Sequence, residues 1–187
     1  MDTQKIVQNI YDFTLKNSVP LFKTDKEDFS AIFDNKGFFL SDEADYNYNY
    51  RELKSKPHLY VAYNSEKYVY VGKSNQKGGR WQRYNYYHLG TLAKELLGQR
   101  KSRDQKHYDW CQNWMEINSI SLGSERNKIT LKSTVKISFI PFEQYSNLPI
   151  DKLRKEEVKS LNTKFEKLLI KFFDDTGWNL LNRNKPS

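Results

Sequence analysis

Two short runs constrain this chain more than any other feature: His58-Leu-Tyr-Val-Ala-Tyr-Asn64 and Lys67-Tyr-Val-Tyr-Val-Gly72, separated only by Ser65-Glu66. Both are rich in β-branched and aromatic residues, and two polar residues between such runs predict a compact antiparallel hairpin. Pro57 interrupts any helix before it and permits a strand to follow. A third strand is expected at Val135-Lys-Ile-Ser-Phe-Ile140, where apolar and polar residues alternate with the period of a half-buried strand.

Helical periodicity flanks these strands. Residues 3 to 16 place Ile6, Ile10, Phe13 and, less regularly, Val7 on one side of a helix, with Thr3 as N-cap. From Ile150 onward, Leu153, Val158, Leu161, Phe165, Leu168, Leu169 and Phe172 recur at three- and four-residue steps, the pattern of a helix packed on a sheet. Gly177 is its expected C-cap, and Trp178 to Asn182 read as an ordered tail. Further helices are expected at Lys26–Phe33, Arg80–His88, Thr91–Arg100 and Asp104–Ile117. A turn is expected at Asn35-Lys36-Gly37, and residues 118–133 read as a connector. The fold class is mixed α/β (α+β): a small three-stranded antiparallel sheet flanked by helices, with N-terminal and central helical elaborations.

The 187 residues suffice for one substantial core and are few for two. Hydrophobic residues make up only 37%, but the 15% of aromatics is more than a disordered chain carries, so a folded core built largely from Tyr, Phe and Trp is expected. The net charge of +8 is unevenly spread. Residues 1–57 hold eight basic and ten acidic side chains, and residues 58–187 hold 23 against 13, so the polyanion-facing part lies after residue 57. Cys111 is the single cysteine, which excludes an intrachain disulfide and a cysteine-based zinc site. No signal-peptide pattern or membrane-length apolar stretch is present, and a soluble, cytoplasmic protein is expected.

Between Lys73 and Lys106 stand nine Lys/Arg residues and two acids, interleaved with Trp81, Tyr84, Tyr86 and Tyr87. Basic residues among aromatics are the footprint of a nucleic-acid surface. Lys73, Lys77, Arg83, Arg100, Lys101 and Arg103 are the candidate DNA contacts.

The ordered set of motifs resembles the GIY-YIG nuclease family, named for two strand motifs. They are matched by His58-Leu59-Tyr60 and Tyr70-Val71-Gly72, followed by Arg80-Trp81 in the next expected helix, Glu166 in a later one, and Gly177-Trp178-Asn179. The first motif keeps only its tyrosine, and Tyr84 stands where the family often has histidine four residues after the arginine. The resemblance covers residues 58 to 182. It divides the chain into an N-terminal extension, 1–57, and a nuclease domain, 58–187, with a helical insertion at about 88–133.

The resemblance implies a metal-dependent endonuclease acting on double-stranded DNA. Tyr60 is then the base or water-orienting group, Tyr70 supports it from across the hairpin, and Arg80 clamps the non-bridging phosphate oxygens with its planar fork. Tyr84 shares a proton or fixes the phosphate, and Asn179 orients the scissile strand or Glu166. Glu166 holds one divalent ion, Mg²⁺, because a hard cation with few protein ligands suits one carboxylate plus phosphate oxygens and waters. An unperturbed tyrosine titrates near 10 and is a poor base at neutral pH, so Tyr60 needs help from the metal, Arg80 or Lys73. A type II restriction enzyme acting as a homodimer is the reading this favours. A homing or structure-specific repair nuclease, and a non-catalytic DNA-binding module of the same fold, stay open beside it.

Overall fold

The computed structural model describes residues 2–29, 31–34, 37–38, 41, 56–75, 121–122, 128–130 and 134–182. Numbered in chain order, its elements are α1 (Thr3–Lys16), β1 (Val19–Pro20), β2 (Ala31–Asp34), β3 (Gly37–Phe38), β4 (His58–Asn64), β5 (Tyr68–Ser74), β6 (Ser121–Leu122), β7 (Lys128–Thr130), β8 (Val135–Pro141), α2 (Lys155–Asp175) and β9 (Asn179–Leu180). The mixed class is as expected, but the main sheet is five-stranded, in the order β1-β8-β4-β5-β9. The three expected strands are its long centre, and two-residue strands pair along either side. β1 joins β8 antiparallel and β9 joins β5 parallel.

The hairpin forms with β4 at its core, hydrogen-bonded to β5 on one side and β8 on the other. Its reversal takes three residues rather than two. Asn64 Oδ1 accepts from the backbone N–H of Glu66 (3.1 Å) and of Tyr68 (3.0 Å), and Lys67 sits at φ 61° before β5 begins. The side-chain amide acceptor holds a backbone conformation that lysine alone disfavours.

Register sorts the sheet into two faces. Leu59, Val61, Val69, Val71 and Ile140 form one core with Ile6, Val7 and Ile10 of α1 and with Val158, Phe165, Leu169, Ile170 and Phe173 of α2. Tyr60 pairs with Gly72 and Phe139, and Ala62 with Tyr70, so alternation puts Tyr60 and Tyr70 on the opposite face. Among the described residues, aromatic rings meet where α1, α2 and the tail come together. Tyr11 lies 5.2 Å from both Phe172 and Phe173, and Trp178 packs edge-on against Phe173 (5.3 Å) and Tyr63 (5.6 Å).

Both helices carry identifiable ends. Asp2, not Thr3, caps α1, its carboxylate accepting from Gln4 N–H at 3.0 Å. At the end of α2, Gly177 takes φ 79°, its N–H bonds Asp174 C=O and the Trp178 N–H bonds Phe173 C=O, each at 3.0 Å. These are the paired bonds of a Schellman cap, with Trp178 against Phe173 as its hydrophobic contact.

Two further expectations give way. Lys26–Phe33 is no helix: residues 26–28 form a turn, and β2 starts at Ala31 in a second sheet of order β3-β2-β7-β6. Residues 118–133, read as a connector, supply β6 and β7 to that sheet. The helices expected at Arg80–His88, Thr91–Arg100 and Asp104–Ile117 lie outside the described residues, as do Asn35 and Lys36 of the expected turn. Among the described residues no helix is long and apolar enough to cross a membrane.

One close approach is testable. A Cβ on Gly72 would come under 3.0 Å from Cζ, Oη and Cε1 of Tyr60, so Gly72→Ala is expected to lower unfolding free energy by about 1–3 kcal/mol through overpacking. Urea denaturation of both proteins measures it.

Candidate active site

Gly72 decides where the Tyr60 hydroxyl goes. Tyr60 belongs to β4, yet its Cζ and Oη are the atoms nearest to the place a Gly72 side chain would take. The ring therefore crosses from β4 onto β5 through space that only glycine leaves open. Tyr60 is buried, and Tyr70, its diagonal neighbour on the same face, lies with ring centroids 6.1 Å apart at 40°. Diagonal cross-strand aromatics of this kind are in van der Waals reach.

One residue beyond Gly72, Lys73 pairs with Leu59 and so points to the helix-covered face. Its ammonium forms an ion pair with the Glu166 carboxylate of α2, with side-chain exposures of 24% and 18%. The helix brings Glu166 there because Phe165 and Leu169 bury on either side of it. Glu166 itself stays at the border of the apolar stripe, where a carboxylate keeps contact with water.

Asn162, one helical turn before Glu166, is fully buried. Its amide N–H groups donate to Ser74 C=O (3.0 Å) and Asn75 Oδ1 (2.9 Å), and its Oδ1 accepts from the Tyr145 hydroxyl at 2.7 Å. A buried amide with these three bonds fixes the point where β5 leaves the sheet, immediately after Lys73. Burial, reinforced by the negative charge of Glu143, raises the Tyr145 phenol well above its ordinary value of 10.0. Tyr145 thus stays a neutral donor to Asn162.

On the outer edge of β5, β9 pairs only with Tyr68 and Val69. The next outward-facing residue, Val71, is served by a side chain: Asn182 accepts from its N–H at 2.9 Å and donates to its C=O at 2.7 Å. The amide imitates one more strand residue. Among the described residues no strand pairs with β5 beyond Val71 on this side, and Gly72 and Ser74 are themselves buried.

The residues expected to act together are therefore partly assembled. Tyr60 and Tyr70 come together on one face of β5, Lys73 and Glu166 on the other, and both pairs border the edge at residues 72–74. Asn179 is exposed and pairs with Tyr68, whereas Glu166 reaches Lys73. Five strand residues, about 17 Å, separate those two points, so Asn179 is not brought to Glu166. Arg80, Tyr84, Lys77, Arg83, Arg100, Lys101 and Arg103 lie outside the described residues.

Reading the sequence missed Asn162 and Asn182. Asn162 had a signal: it stands four residues after Val158 and three before Phe165, a polar side chain on a buried helical stripe. Nothing local distinguishes Asn182. Comparison with protein-family models, curated proteins and solved structures finds no match for this chain.

The Tyr145 shift carries a pH consequence. Because the folded state keeps the proton to higher pH than the unfolded chain, Tyr145's contribution is fully present below pH 10.0 and is lost as pH rises above that toward the folded value. Urea midpoints at pH 8 and 10.5 are expected to fall more steeply for wild type than for Tyr145→Phe; equal slopes count against it.

Proposed function

We propose that the chain is a metal-dependent endonuclease that hydrolyses phosphodiester bonds in double-stranded DNA, with its working site at the β5 edge beside Gly72 and Lys73. The observation that carries this reading is the crossing of the Tyr60 hydroxyl onto β5, one residue from the Lys73–Glu166 pair. A sheet is one backbone thick, so side chains leaving its two faces at neighbouring residues of β5 can serve one site.

Phosphodiester hydrolysis needs a positioned water, donors for the charge that develops on phosphoryl oxygens, and help for the leaving oxygen. Tyr60 supplies a hydroxyl held by its packing on Gly72, with Tyr70 limiting its rotation. Lys73 supplies a point charge suited to a phosphate oxygen. Arg80, seven residues further along, is the proposed phosphate clamp and Tyr84 its neighbour.

Glu166 is the proposed metal-holding residue, for Mg²⁺. The single carboxylate of Glu166 is the donor proposed for a hard cation that keeps its waters and takes phosphate oxygens; among the described residues no group of three or more His, Cys, Asp or Glu stands together. When bound, such an ion neutralises phosphoryl charge and lowers the pKa of a water.

The net +10 over residues 58–187, from 23 basic minus 13 acidic, supports a polyanionic substrate whose affinity falls steeply with salt. A type II restriction role, with two copies cutting two strands, is the specific form we propose.

The test is incubation of the protein with mixed-sequence duplex DNA and Mg²⁺, beside an EDTA control and Glu166→Ala. Discrete fragments with wild type and Mg²⁺, and a loss of at least about 100-fold in both controls, are expected. Duplex binding without cleavage by the wild type would make the chain a DNA-binding module instead.

A further inference from the structure

Glu166 brings one negative charge to the β5 edge, and the Lys73 ammonium is already paired with it. Among the described residues no group of three or more His, Cys, Asp or Glu stands together. One carboxylate cannot neutralise an ammonium and a divalent ion together. With both side chains about four-fifths buried, repulsion between two cations at that carboxylate is only partly screened by water.

Neither backbone is free to relieve the conflict. β5 is held by its pairing with Leu59 at Lys73, by Asn162 on Ser74 C=O at 3.0 Å and by Asn182 on Val71. α2 is held by the buried Phe165 and Leu169 on either side of Glu166. What can move is the Lys73 side chain, a compact charge on a four-carbon stem with three donors, for which a phosphate oxygen is as good an acceptor as a carboxylate.

We propose that Lys73 guards Glu166: in the free protein its ammonium and a divalent cation exclude one another at this carboxylate, and the phosphate of a bound DNA strand draws Lys73 off and opens Glu166 to the metal. The inference rests on the reading of Glu166 as the metal-holding residue and adds an order of assembly to it. Metal binding is weak until DNA is present, and by reciprocity bound metal strengthens DNA binding by the same factor. Such a device keeps a hydrolytic centre incomplete away from its substrate.

The experiment measures Mn²⁺ binding without DNA, from the electron paramagnetic resonance signal of the free ion. Wild type, Lys73→Met, Lys73→Arg and Lys73→Met combined with Glu166→Gln are compared, each checked for folding by circular dichroism. Lys73→Met is expected to bind Mn²⁺ more tightly than wild type, on the order of tenfold. Lys73→Arg, which keeps the charge, should stay as weak as wild type, and the Glu166→Gln combination should abolish the gain. Lys73→Gln replaces Lys73→Met if the latter does not fold.

If Lys73→Met binds Mn²⁺ no better than wild type while binding still depends on Glu166, the guarding role is overturned and the metal reading stands. If no variant binds Mn²⁺ through Glu166, the metal reading fails, and this inference with it. The phosphate half has its own measurement, the salt dependence of duplex binding in EDTA. Losing one phosphate contact in Lys73→Met should reduce the slope of log affinity against log salt by about 0.9; an unchanged slope overturns that half.

Discussion

The packing of the Tyr60 ring on Gly72 is the constraint on which the rest of the arrangement depends. It requires the β4–β5 register observed, because a one-residue slip would turn every side chain of the hairpin to the other face. That slip would put Leu59 and Val61 outside the core and Tyr60 inside it. Tyr60 is thus a structural residue through its ring, its hydroxyl is the group we propose to act, and Gly72 is conformationally ordinary but sterically obligatory.

The helix α2 answers this constraint from the other face. Its apolar stripe fixes its rotation, which in turn sets Glu166 at the border beside Lys73 and Asn162 beneath the end of β5. The Schellman cap at Gly177 turns the chain back so that Trp178 closes the aromatic cluster and β9 runs along β5. Asn182 completes that edge and stops at Val71. Among the described residues, pairing on the β9 side of β5 thereby ends at Val71, one residue short of Gly72.

Legibility in the sequence followed the range of the interactions. The hairpin, β8, α1 and α2 are periodic over seven or more residues and were readable from spacing alone. β2 was misread because Phe29, Ile32 and Phe33 fall at three- and four-residue steps, and what makes the segment a strand is pairing with β7, nearly a hundred residues away. The two-residue strands β1 and β9 are too short to show any period, so the sheet was read as three-stranded. In the site, Tyr60, Tyr70, Lys73 and Glu166 were named from the sequence, but not their division between two faces, which only register reveals. Asn179 was named because it follows Gly177-Trp178, and Asn182 was not considered. The turn after α2 places the former at the far end of β5 and the latter against Val71.

In the proposed reaction the Tyr60 hydroxyl acts while its ring supports the hairpin. Tyr60→Phe keeps the ring on Gly72 and removes only the oxygen, so single-turnover cleavage of labelled duplex DNA, with enzyme in excess and Mg²⁺ present, separates the two roles. An unfolding midpoint close to wild type and a cleavage rate lower by at least about 100-fold, the range for loss of a general acid–base group, are expected. A Tyr60→Phe protein that cleaves at the wild-type rate would contradict that role of the hydroxyl.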